Sequence, residues 1–181
     1  MMKRHLPVFI LIFIFAANVF GQDSTEKDLV KKAEFVIKLI KNTEWPAENA
    51  GGNDTFVISV IGQASFVGKL RDLAATDTKL KKTIEIKALS VDDDFSGSNI
   101  IFMGENDLST LAQVLKRIEN RPILTITDID GLARYGVIVE LVSDNEGKGK
   151  VDFIINKMVM KKAGLNISED LIKQAKKTYG K

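Results

Sequence analysis

Cysteine is absent from the 181 residues, histidine occurs once and proline three times. The one histidine, His5, lies in an N-terminal segment whose composition marks it for removal. Lys3, Arg4 and His5 make a basic start, and Leu6 to Phe20 is an almost unbroken apolar run. Asn18-Val19-Phe20-Gly21 then offers small or apolar residues before a cut expected between Gly21 and Gln22. The run is short for a membrane span. Residues 1–21 are therefore read as a secretory signal peptide and residues 22–181 as a single domain, with an uncleaved N-terminal anchor as the alternative. No cysteine stands near the cut to carry a lipid.

A mature chain beginning at Gln22 has neither cysteine nor histidine. Disulfides, thiol nucleophiles, Ser-His-Asp hydrolysis and transition metals ligated by His or Cys are thereby excluded. An excess of either charge is lacking too. The signal segment carries Lys3 and Arg4, so 24 Lys and Arg face 24 Asp and Glu in the remainder. A nucleic-acid binder normally shows a basic face, and none is expected here. No glycine-rich nucleotide fingerprint is present, and no cofactor is implied. Only carboxylate, lysine, tyrosine or Ser/Thr chemistry stays open.

What is present is an alternation of periods. From Lys27 to Thr43, after a polar and frayed segment at 22–28, Val30, Ala33, Val36, Ile37 and Ile40 recur at helical steps. Pro46 is expected to stop that helix. Residues 55–62, 99–104 and 122–128 are short apolar strands, and residues 82–89 alternate as a half-buried one. Between them, Phe66, Leu70 and Leu73 mark one helix. Leu108, Leu111, Leu115 and Ile118 mark another over residues 105–120. Residues 137–143 and 150–156 read as a hairpin around a loop containing Gly147 and Gly149. A short helix from Lys157 to Ala163 stops at Gly164, and Ser168 caps a last helix. The pattern predicts an α/β fold: a single domain with a mostly parallel sheet, helices on both faces and a C-terminal antiparallel hairpin at one edge.

Several of these segments resemble a known family. The helix running into Glu44-Trp45-Pro46, the strand ending in Val60-Ile61-Gly62, the stretch Ser65-Phe66-Val67-Gly68-Lys69-Leu70 and above all residues 150–175 are similar to the YfiR-like family, the domain of unknown function 4154. The family characteristically runs from a strand into Phe-x-Ile-Asn, a short helix, Ala-Gly-Leu and a closing helix. The resemblance covers about Lys31 to Ala175. It implies a secreted, non-enzymatic bacterial protein of the periplasm, commonly a homodimer. The best-known members hold an inner-membrane diguanylate cyclase, YfiN, inactive, which limits cyclic di-GMP and biofilm formation. An outer-membrane lipoprotein, YfiB, relieves the inhibition. Those repressors carry cysteines that this chain lacks, so redox control of that kind is not available to it. A small-molecule binding or sensor module is the alternative function.

Five residues are candidates for contact with a partner or ligand: Trp45, Pro46, Arg134, Tyr135 and Asn156. Trp45, the only tryptophan, either closes the core at the end of the first helix or anchors a partner. Pro46 fixes the exit of the chain. Asn156 either caps the short helix after it or offers its amide to a ligand. Arg134 and Tyr135, with Arg121, have the chemistry to meet an anion and to stack on it. Crevices in open α/β sheets form outside the carboxyl ends of strands, so Ile61-Gly62 and Met103-Gly104 are expected to flank a pocket. The aspartates at 92–94 and at 128 and 130 resemble calcium loops but lack a full ligand set. They are read as turns.

Overall fold

The computed structural model describes residues 19–46, 55–77, 83–104, 108–142 and 150–180. A seven-stranded sheet forms its centre. The strands are β2 (Thr55–Ile61), β3 (Thr83–Leu89), β4 (Ile100–Met103), β5 (Leu124–Thr127), β6 (Val139–Val142), β7 (Asp152–Asn156) and β9 (Lys177–Tyr179), in the order β3-β2-β4-β5-β6-β7-β9. All neighbours are parallel except β6 and β7, the expected hairpin pair. A second, two-stranded sheet pairs β1 (Thr43–Glu44) with β8 (Asn166–Ile167).

The central strands are apolar throughout because both of their faces are covered. On one face Ile58, Val60, Ile100, Phe102, Leu124 and Ile126 pack beneath α1 (Val19–Lys41) and α2 (Ala64–Thr76). On the other, Ile101 and Met103 meet Leu111, Val114 and Ile118 from α3 (Leu108–Arg117) and the segment after it. The parallel sheet with helices on both faces is therefore the architecture observed.

Several local expectations are corrected. The expected signal peptide falls mostly on residues outside those described; within α1, which begins at Val19, residues 22–28 are helical rather than frayed. From Gln22 to Lys41 no proline or glycine interrupts the helix. Glu26 pairs with Lys69 of α2, and Asp28 with Lys32. Helix α1 ends at Lys41, before Pro46, because Thr43 and Glu44 enter β1. Its buried arc is wider than the expected stripe: Leu29, Lys32, Phe35 and Leu39 are buried and Val30 is only half-buried. Leu108, assigned to the core face of α3, is 63% exposed.

The last helix is the largest difference. Helix α5 is only Glu169–Ile172, capped as expected by Ser168, whose hydroxyl accepts the Leu171 N–H at 3.4 Å. The chain then turns into β9, which pairs in parallel with β7. The hairpin is therefore not the edge of the sheet. Among the described residues no helix is long and apolar enough to cross a membrane.

Candidate functional site

A tightly bonded joint links η1 to β6 and β7 beside β5, and three of the five candidate residues belong to it. Strand β6 brings Glu140 to the α3 face, where it is buried at 3% exposure. Its two carboxylate oxygens accept the N–H groups of Gly131 at 2.8 Å and Ala133 at 2.7 Å. Those amides open η1, a 3-10 turn over Leu132–Tyr135, bounded by Gly131 and Gly136 at φ 84° and 115°. Backbone donors at the start of such a turn have no partner within it, and the carboxylate supplies one.

Asn156 holds the same turn from the other side. Its amide nitrogen donates to the Ala133 carbonyl at 2.7 Å, and its oxygen accepts the Val159 N–H at 3.0 Å. It thereby caps α4 (Lys157–Lys162) and ties it to η1. Asn156 is 3% exposed, so its amide is committed to this joint rather than offered to solvent. Arg134 and Tyr135 project from the clamped turn, and both are exposed. The Tyr179 hydroxyl of β9 is drawn below its ordinary pKa, first by Lys177 and also by Arg134, so these groups meet at the surface.

Trp45 and Pro46 stand at the other end of α4. That helix ends in a Schellman turn: the Leu165 N–H reaches the Met160 carbonyl at 3.1 Å, and that of Gly164 reaches Lys161 at 3.0 Å. Gly164 has φ 69°, and a Cβ there would lie 3.3 Å from the Pro46 ring. Pairing of β1 with β8 fixes this approach, as does the Ser168 N–H on the Asn42 carbonyl at 2.8 Å. Trp45 is half-buried and stands edge-on to Phe56, with ring centroids 4.9 Å apart at 83°. Its indole nitrogen is buried and finds no hydrogen-bond partner among the described residues. The Glu-Trp-Pro and Ala-Gly-Leu segments are thus two halves of one packing joint.

A groove of about 480 Å³ opens at the amino ends of β5 and β6, between the end of α3, η1 and α4. It brings Arg121 and Tyr135 to one rim. At the carboxyl ends of β2 and β4, Gly104 is buried, and a Cβ there would stand 3.1 Å from the Gln63 side chain. The aspartates read as turns are occupied locally. Asp93 accepts the Ser90 N–H, and Asp94 accepts the Ser96 N–H and hydroxyl. Asp128 instead pairs with Lys32 at 2.9 Å, both side chains about one-tenth exposed.

Sequence reasoning passed over Glu140, Lys32 and Met158, which is 52% exposed. The first two carry a signal that was available. Glu140 interrupts an apolar strand, and Lys32 interrupts an apolar helical face.

No curated protein matches this chain. An ABC domain from Streptococcus pneumonia in complex with L-Trp shares the fold at TM-score 0.54 and 14% identity, over 83% of this chain and 60% of that one. A conserved domain protein from Vibrio cholerae aligns at TM-score 0.49 and 17% identity, with the same coverage. The chain thus spans 60% of the length of each. The model of the YfiR/HmsC-like family, the domain of unknown function 4154, matches residues 30–176, and the chain belongs to that family.

Proposed function

We propose that this protein is an exported regulator that binds the periplasmic part of an inner-membrane diguanylate cyclase of the YfiN type and holds it inactive. Its family is a regulatory, non-catalytic one that acts in cyclic di-GMP signalling from the periplasm. The observation that carries the finer reading is the clamped joint. Tyr135 at 64% exposure and Met158 at 52% are two of the three large apolar side chains left exposed among the described residues. They stand on η1 and α4, the two segments that Asn156 joins. Apolar side chains on a rigid support suit a protein contact, because little ordering entropy is lost when a partner covers them.

Repression by binding requires that the regulator prefer the inactive form of its target; equal affinity for both forms shifts nothing. In this reading the protein acts as a homodimer, and a lipoprotein of the YfiB type competes for it.

The test is cyclic di-GMP in the source cell. Deletion of the gene should raise it, and the native exported protein should restore it. A Tyr135→Asp/Met158→Asp variant that folds and is exported should not. No change on deletion, in cells that do make cyclic di-GMP, sinks the cyclase reading. Full restoration by the double variant sinks the assigned surface.

A further inference from the structure

The groove at the amino ends of β5 and β6 plays no part in that docking surface beyond sharing Tyr135. Its floor is aliphatic. Ile118, Ile123 and Ile138 are buried there, and Leu115 and Val159 are half-buried. Its rim is cationic: Lys116, Arg121 and Lys162 are exposed along it, facing the one carboxylate of Glu119. None of the three cations forms an ion pair with a described residue.

The position of Arg121 is set by its backbone. Asn120 takes φ 61°, the Arg121 N–H closes on the Ile118 carbonyl at 3.0 Å, and the Arg121 carbonyl accepts the Ile123 N–H at 2.8 Å. Lys162 is placed by the Schellman turn that follows it. The three cations face Glu119, and Arg121 also lies close enough to Asp94 to act on it, so the rim keeps a net positive charge; beside a low-dielectric wall that excess focuses a positive potential into the groove. The volume lies within the range of roughly 300–1,000 Å³ typical of small-molecule sites.

We propose that this groove binds a small organic anion. An apolar body would lie on the isoleucine floor, and a carboxylate, sulfonate or phosphate group would meet Arg121, Lys116 and Lys162 at the rim. Arg121 can bond such a group through two N–H donors at once, and the ring of Tyr135 can close over the apolar part. The aliphatic floor alone would accept any greasy molecule. The rim selects for negative charge. This site stands or falls independently of repression of a cyclase.

The test uses the mature chain and 8-anilinonaphthalene-1-sulfonate, an apolar anion whose fluorescence rises on binding. One-to-one saturable binding is expected, weakened about tenfold or more by Arg121→Gln/Lys162→Gln, since each charge-assisted bond is worth about that factor. The uncharged N-phenyl-1-naphthylamine should bind more weakly, and the same substitutions should leave it unchanged. Octanoate should displace the sulfonate, and octan-1-ol at equal concentration should not. Equal binding of the charged and neutral probes, or displacement by both competitors, overturns the proposal and leaves an unselective apolar face of the kind a protein covers. Absence of one-to-one binding overturns it outright.

Discussion

Replacing Glu140 with glutamine tests whether the clamped joint is held as described. The carboxylate is buried, and each oxygen accepts one backbone N–H, from Gly131 and Ala133. Glutamine keeps one acceptor and turns an NH2 group toward the other N–H, so one bond is lost and a buried donor is left facing a donor. A hydrogen bond to a charged group contributes about 1.5–3 kcal/mol, and an unsatisfied buried donor costs about 1–3 kcal/mol. Glu140→Gln should therefore destabilise by about 2–4 kcal/mol, and Glu140→Ala by about 4–5 kcal/mol, because both bonds go and a cavity remains. With a urea slope near 2 kcal/mol/M, the glutamine variant should unfold about 1–2 M earlier. The fluorescence of Trp45, the only tryptophan, reports the transition. Amide exchange should accelerate selectively at Gly131 and Ala133. A loss below about 0.5 kcal/mol, or unchanged exchange at those amides, refutes the claim that Glu140 holds η1.

Three further outcomes are expected. Burial alone would lower the pKa of Lys32, but bonds to Asp28 and Asp128 outweigh it and hold the pKa above the usual lysine value. Its contribution should be complete below about pH 10.4 and fade as pH rises through the folded-state value. In urea unfolding at pH 7, Lys32→Met should cost about 3–5 kcal/mol by stranding Asp128, and adding Asp128→Asn should recover part of it; no recovery would show that the pair is not coupled. Trp45→Phe should cost less than about 1.5 kcal/mol and Trp45→Ala about 2–3 kcal/mol in thermal unfolding, since the indole N–H bonds no described residue and the ring packs on Phe56. Gly164→Ala should cost about 1–2 kcal/mol in the same assay, because φ is 69° and the new methyl meets Pro46; a neutral result would mean the turn relaxes.

Legibility in the sequence followed how local each cause was. The parallel strands could be read because each is an apolar run between breakers, and burial on both faces needs nothing else. The Gly164 stop and the Ser168 and Asn156 caps could be read because a helix end is settled within a few residues. Strand β9 could not. Lys177-Thr178-Tyr179 has no apolar period, and it is a strand only because β7 presents a free edge to it. The pairing of β1 with β8 depends on residues more than a hundred positions apart.

The same distinction applies to the candidate residues. Arg134 and Tyr135 could be singled out from a glycine-bounded turn, but the groups that rigidify that turn come from β6 and β7. Glu140 is the informative case. Alternation along residues 137–143 places it with the face-down set of a strand whose other members are apolar, so a carboxylate there needs buried donors from elsewhere in the chain. The segment best able to provide them is one with unpaired N–H groups, and a short glycine-bounded turn after the preceding strand has them. An ionisable residue out of phase with an apolar period is thus a pointer to a distant polar partner. Lys32 is the second instance: it sits within the buried arc of α1, and its partner Asp128 lies just beyond β5. In both cases the charged residue joins an element to a loop that flanks the sheet, which is where this fold carries its exposed candidate residues.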